Sequence, residues 1–243
     1  MVNAPAIQFS EVAKSFGTAN VLAGLTLAVH PGEMFALVGA NGAGKSTSIK
    51  AMLDFTSIDA GTITLFGQPH DDAQARRCLA FLPERFQPPY FLGGREYLRS
   101  VAALLDEPYD ESTACSMCAA LDLAANALDQ SVRTYSKGMA QKLGLAGVLL
   151  SKRQLLVLDE PLSGLDAKAR ILAKRELERA AQQGRTVFFT SHMLAEVEAL
   201  SNRMGILHAG TAAFEGTAAE CCEAYGTSDL EAAFLRVVDG ELS

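Results

Sequence analysis

The sequence predicts an α/β fold with a mostly parallel sheet, an N-terminal antiparallel β portion and an inserted helical subdomain. Three observations carry that expectation. A glycine-rich loop at 39–46 follows an apolar strand pattern and opens a helix pattern. In the second half of the chain strand patterns alternate with a helix pattern, as a parallel sheet requires. Between them, residues 95–151 keep helical spacing broken by turn residues.

Apolar residues alternate at Ile7, Phe9 and Val12 and again at Leu25, Leu27 and Val29, so each set predicts a strand. "HPGE" at 30–33 is turn chemistry before a third strand at 34–38. Residues 46–53 read as a helix and 61–67 as a short strand between glycines. "REYLRSVAALL", "STACSMCAALDL" and "KGMAQKLGLAGVLL" supply the helical subdomain, placed at about 86–150. Strands return at 154–158 and 186–190. The helix between them, 167–181, lines up Ala169, Leu172, Ala173, Leu177 and Ala180, and Gly184 stops it. Two short helices are expected after Glu215, giving one domain over 1–215 and a helical tail over 216–243. No internal repeat or low-complexity segment interrupts this order.

Of 243 residues, 49% are hydrophobic and 20% charged, enough apolar surface for a core rather than a disordered chain. Lys plus Arg number 21 against 28 for Asp plus Glu, a net charge of -7, and no basic run could track a phosphate backbone. Nucleic acid is therefore not the expected partner. Cys78, Cys115, Cys118, Cys221 and Cys222 form no disulfide framework, which suits a reducing cytosol. "CSMC" at 115–118 has redox spacing but sits in a helix pattern, so it reads as structural, as do Cys221 and Cys222. "MVNAPAIQFSE" lacks a basic start followed by a long apolar stretch, and no window approaches the roughly 18 apolar residues of a membrane span. The expectation is a soluble chain that reaches a membrane only by docking.

Residues 39–46 match G-x-x-x-x-G-K-[ST] between a strand and a helix, the context in which this pattern binds phosphate. Gly39, Asn41, Gly42, Ala43 and Gly44 let backbone N–H groups face phosphate oxygens, and the helix start adds partial positive charge. Lys45 is expected to reach the β and γ phosphates, Ser46 to meet Mg²⁺, and Thr47 to support it. "LLVLDEP" is a buried strand whose tip offers Asp159 to the metal and Glu160 to polarise water.

"YSKGMAQKLGLAGVLL" precedes that strand. Ser136 is a good helix N-cap, and the helix start with Gly138 offers N–H donors to an anion. Ser136, Gly138 and Gln141 also stand where the signature of ATP-binding cassette (ABC) ATPases has its serine, second glycine and following glutamine. The chain resembles that family over nearly its whole length. The resemblance implies a P-loop ATPase core binding ATP and Mg²⁺. It further implies a second ABC ATPase subunit, most simply an identical one, with each γ phosphate held between one phosphate loop and the other chain's Ser136 and Gly138.

In the same way "LSGLD" at 162–166 looks like the dimer-contact loop, with Asp166 signalling between sites. His192 in "TSHML" looks like the switch histidine on the γ phosphate, although a histidine near a helix start also serves structure alone. Phe16 occupies the place of the aromatic that stacks on adenine, but fits a core position equally. Where the family has a glutamine on Mg²⁺ or the attacking water, "FLPERFQ" places Glu84, with Gln87 as the less suitable substitute. Lys137 and Met139 depart from the commonest signature, and the second removes a basis for a ribose contact.

"LPE", "YSKGMAQKL" and "DLEAAFLRVV" resemble the exporter branch with drug, polysaccharide, sodium and copper-linked systems. That implies an integral membrane permease as partner and a cytoplasmic site on the inner face of the cell membrane. The loop 86–98, rich in Phe, Tyr and Leu, is expected to edge a groove for a cytoplasmic helix of that permease, or else to fold its aromatics onto the helical subdomain. A soluble cassette that clamps a protein or nucleic acid is the alternative. A small-molecule kinase has no use for Ser136, Gly138 and Asp166 together.

Overall fold

The structure is a computed structural model that describes residues 4–240; the ends of the expected domain and tail, 1–3 and 241–243, lie outside the described residues. The alternating apolar residues at the start form β1 (Ile7–Phe16) and β2 (Ala19–Val29), paired antiparallel. Glu11, at φ 51, shifts the β1 register, so the buried face passes from Ile7 and Phe9 to Val12, one residue later than strict alternation would place it. The apolar run Met34–Val38 is β3, and the glycine loop leads into α1 (Lys45–Met52). β4 (Ala60–Leu65) pairs with β1, and β5 (Gln68–Pro69) with β4.

A 3-10 turn at Ala75–Cys78 precedes β6 (Leu79–Leu82). The helical insertion is α2 (Gly94–Leu104), α3 (Glu111–Ala120) and α4 (Lys137–Leu150). Then follow β7 (Leu155–Leu158), α5 (Ala167–Gln182), β8 (Thr186–Ser191), α6 (Leu194–Leu200), β9 (Arg203–His208) and β10 (Thr211–Gly216). Two helices, α7 (Ala218–Ala224) and α8 (Leu230–Asp239), close the described chain.

One sheet has the order β2-β1-β4-β5 and is antiparallel; the other runs β10-β9-β3-β8-β7-β6, parallel except for β10. β3, β7 and β8 are buried on both faces, which explains the unbroken apolar runs of β3 and β7 and the apolar centre, 187–189, of β8. Their side chains divide by the strand period of two. Phe35, Leu37, Leu155, Val157 and Phe188 face the antiparallel sheet and α1, whereas Met34, Ala36, Val38, Leu156, Leu158, Val187 and Phe189 face the helices. The sheet thus lies between two apolar layers and delivers the C-terminal ends of β3, β6, β7 and β8 to one edge.

The fold agrees with the expected class: a parallel core sheet, an antiparallel N-terminal sheet and a helical insertion. β6, α6, β9 and β10 are additions that the patterns at 79–82 and 194–216 had not predicted. Arg185 ties the insertion to the sheet. Its guanidinium donates to Leu149 O (2.9 Å), a carbonyl that the end of α4 leaves free, and just beyond the helix to Ser151 Oγ (3.2 Å) and Arg153 O (2.9 Å). Burial pulls its pKa down, and the charge of Glu107 opposes that shift.

Gly39 is a position that packing alone reserves for glycine, because a Cβ there would come within 2.5 Å of the Leu207 carbonyl oxygen on β9. Gly39→Ala is expected to destabilise the protein by about 1–3 kcal/mol, since backbone rather than a mobile side chain must yield. Urea unfolding checks it, and an unchanged midpoint would contradict the close approach.

Candidate functional site

At the C-terminal edge of the parallel strands, residues from five segments enclose a polar cavity of about 500 Å³. The glycine loop and α1 contribute Asn41, Gly42, Gly44, Lys45, Ser46 and Thr47, and the end of β6 contributes Glu84. Asp159, Glu160 and Ser163 follow β7, His192 follows β8, and Val21 comes from β2. Gly44 sits at φ 112, the left-handed conformation that lets the loop turn into the helix.

Lys45 is buried and bends back on its own loop, donating to Gly39 O at 2.6 Å and Ala40 O at 3.2 Å. Burial pulls its pKa down; Glu160, Asp159 and Glu84, in that order, oppose the shift by their negative charge. Burial pushes the Glu160 carboxyl up from the usual range, against the hydrogen bond and charge of His192 and the charge of Lys45. His192 Nδ1 lies 2.9 Å from Glu160 Oε2. That pairing spends one carboxylate oxygen and leaves Oε1 for another partner.

Glu160 holds φ at 50, an uncommon conformation for a side-chain-bearing residue. Its N–H donates to Thr190 Oγ1 (2.9 Å), and the same hydroxyl donates to Asp159 Oδ1 (2.6 Å). Thr190 therefore organises both acids, and the sequence reading did not single it out. Its signal was the first hydroxyl residue after the apolar run 187–189 of β8.

Glycine-loop amides, an ammonium, a hydroxyl and carboxylates are the donor set of a hard cation carried on phosphate oxygens. Among the described residues no cluster of three or more His, Cys, Asp or Glu could hold a metal ion. Ser46, Asp159 and Glu84, which line the cavity, offer hydroxyl and carboxylate oxygens, the ligand type of Mg²⁺, an ion that takes one or two carboxylates and completes its shell from phosphate and water.

The remaining predicted residues lie elsewhere. Ala43 packs against the antiparallel-sheet core, and Gly39 lies against β9. Phe16 is not a core residue: it is 50% exposed, with the Lys14 ammonium 5.2 Å from its ring centre. Ser136 caps α4 by accepting from the Met139 N–H, and Asp166 caps α5 by accepting from the Ala169 N–H. Neither they nor Gly138 line the phosphate cavity. Gln87 lines a neighbouring cavity with Ser136 and Tyr90, and Glu84 borders both. In the loop after it, Phe86 packs edge-on against Tyr97 of α2 (5.4 Å), whereas Tyr90 and Phe91 stay 72% and 71% exposed.

All five cysteines are free. Burial pushes the thiols of Cys78, Cys118 and Cys221 up to about 11, the signature of inert packing residues.

A sheet of this order with a glycine loop after β3 and an acidic pair after β7 defines the P-loop ATPase class of fold. A family model described as "ABC transporter" matches residues 22–163. The chain belongs to that family. It is 37% identical over 199 residues to an uncharacterized ABC transporter ATP-binding protein of Synechocystis sp., covering 81% of this chain and 56% of that protein. It is 36% identical over 217 residues to the Nod factor export ATP-binding protein I of Rhizobium etli, covering 87% and 68%. This chain thus spans little more than half the length of the Synechocystis relative. A solved structure of an ATP binding subunit of an ABC transporter superposes with TM-score 0.86 at 28% identity, covering 96% of this chain and 99% of that one.

Glu160 ties the cavity to stability without any ligand. A carboxyl with its folded pKa raised above the unfolded value costs nothing while both states are protonated. It destabilises the fold progressively as pH rises from the unfolded value of about 4.5 through the raised one. Glu160→Gln is expected to melt higher than the parent above that window and equally at acid pH, by about 2–4 °C per kcal/mol removed. A melting difference independent of pH would assign the effect to something other than this carboxyl.

Proposed function

We propose that this chain is the ATP-binding and ATP-hydrolysing subunit of an ABC transporter, closing as a dimer around two Mg-ATP to drive export through a separate membrane subunit. The observation that carries the proposal is the convergence of Lys45, Ser46, Glu84, Asp159, Glu160 and His192 on one cavity beside the glycine loop. The proposed ATPase unit is residues 1–215, and 216–243 its helical tail.

Amides of 39–47 cradle the phosphates and the Lys45 ammonium faces the β and γ groups. Ser46 and Asp159 with Glu84 would hold Mg²⁺, which would supply positive charge to the phosphate oxygens. Glu160 Oε1 takes the proton of the attacking water while His192 fixes Oε2; the water oxygen bonds to the γ phosphorus as its bond to the bridging oxygen breaks, leaving ADP and inorganic phosphate. Phe16, exposed at the end of β1, stacks on adenine. Ser136 and Gly138, solvent-accessible and outside this chain's cavity, complete the site of a second copy, and Asp166 meets that copy's site.

Export is supported by the likeness to the Nod factor export protein. No helix among the described residues is long and apolar enough to cross a membrane. In this reading a separate permease provides the passage and the chain works at the cytoplasmic face of the cell membrane, as its membership of the ABC transporter family supports. Tyr90 and Phe91, an exposed edge-to-face pair at 5.7 Å, are the proposed docking contact.

Glu160→Gln should keep ATP binding, accumulate an ATP-held dimer on size exclusion and lose about 10²–10⁴-fold in turnover. Normal turnover would remove Glu160 as the base. From native cells, tagged Glu160→Gln with ATP should co-purify a stoichiometric polytopic membrane protein; recovery of soluble proteins or nucleic acid alone would favour a non-transport clamp. Adding Tyr90→Asp and Phe91→Asp should abolish that co-purification while sparing ATP binding, and its persistence would reject the docking loop.

A further inference from the structure

Gln141 is a buried amide in the middle of α4, where all the surrounding positions from 142 to 149 are also buried. A polar side chain in such a place costs stability unless its groups are used. Its Nε2 donates to the Pro161 carbonyl at 2.9 Å. Proline has no N–H, so that carbonyl is the one backbone polar group by which residue 161 can be held.

Pro161 directly follows Glu160. The base-bearing turn is tied at three points: Glu160 N–H to Thr190 Oγ1, Glu160 O from the Ser163 N–H at 3.1 Å, and Pro161 O from Gln141. Two of these ties come from the turn itself or its neighbour β8. The third comes from the helix that begins at Ser136.

Lys137 stands one helical turn before Gln141, at i and i+4, so both point from the same face. Lys137 Nζ donates to Ser163 Oγ at 3.4 Å, and a Cβ on Gly138 would sit 3.1 Å from the Gly164 oxygen. One face of α4, residues 137, 138 and 141, is therefore seated on the turn 161–164. At 1.5 Å rise per residue, Ser136 lies about 7.5 Å along the axis from Gln141.

We propose that Gln141 is a positioning residue that clamps the Pro161 carbonyl and thereby links the N-terminal end of α4 to Glu160. An anion engaged at Ser136 and Gly138 acts on this turn through the helix it sits on. This rests on the ATPase reading of the site, in which that anion is the nucleotide of the second copy. The site that receives a nucleotide at Ser136 and the site that uses Glu160 are then different ones, and Gln141 couples them.

Gln141→Met keeps length and approximate volume and removes the donor. With the full chain, hydrogen exchange without nucleotide should show the amides of 162–166 exchanging at least tenfold faster and those of 143–150 unchanged. ATP turnover should show kcat down about tenfold with KM within twofold. Unchanged exchange at 162–166 would overturn the clamp, as would a rise in KM at constant kcat or general acceleration along α4.

Should Gln141→Met fail to fold, Gln141→Glu takes its place. Ionised, that glutamate offers no donor to Pro161; protonated, it donates. The ratio of its kcat to the parent's should rise as pH falls, and a flat ratio would overturn the proposal. Loss of turnover in the parent, or of ATP retention in Glu160→Gln, would strike the ATPase reading instead. The exchange measurement answers for the clamp in either case.

Discussion

One buried ammonium and three carboxylates share a cleft at the end of a sheet that is apolar on both sides, and most of the local structure follows from keeping them there. Lys45 loses proton affinity to burial and Glu160 gains it, and each counteracts the other's shift by its charge. Charges taken from water hold only where their hydrogen bonds are supplied. Lys45 finds two carbonyls of its own loop. Glu160 finds His192, and Asp159 finds Thr190. The apolar strands behind them lower the local dielectric, so these attractions act more strongly than they would at the surface.

Glu160 departs from an ordinary strand exit because the chain must present two successive acids to one cavity. Consecutive strand residues point to opposite faces, so a continuing β7 would send Asp159 and Glu160 apart. The positive φ at Glu160 breaks that alternation. Such a conformation is unfavourable for a residue with a Cβ and persists where its neighbours over-determine it. Thr190 from β8 and Ser163 within the turn supply that restraint through hydrogen bonds to both backbone groups of Glu160.

The sequence was most readable where local chemistry decides the structure. The buried run 34–38 became β3 residue for residue, and the glycine loop opened α1 as its spacing required. α4 began at the cap read for it, Ser136, which accepts the Met139 N–H; Asp110 and Asp166 cap α3 and α5 in the same way, which the residue patterns had not been used to predict. β6 was illegible because it is four residues with one face only half buried, and its strand character comes from pairing with β7, far along the chain. β9 and β10 were illegible because their turn is Ala209–Gly210 rather than Asn-Gly, with Ala209 forced to φ 46, and β10 offers mainly small residues. Within the site, residue types announced Lys45, Ser46, Asp159 and Glu160. Thr190 and the buried use of Gln141 depend on which strand and helix become neighbours, and no local pattern carries that.

Glu84 illustrates how a departure in sequence is absorbed by geometry. An added carboxylate in a cavity that already holds two acids raises mutual repulsion, and the cost falls with exposure to water. Glu84 is exposed where Asp159 is buried and Glu160 half-buried, because it stands where the phosphate cavity meets the neighbouring one lined by Gln87, Tyr90 and Ser136. Its charge can therefore be screened from the solvent side while Lys45 still feels it. A glutamate is tolerable at the mouth of this cleft for the same reason that it would be costly at position 159. Glu84 stands at a wall that solvent reaches, as Asn41 and His192 also do, so its charge is shared with water rather than borne by the cleft alone.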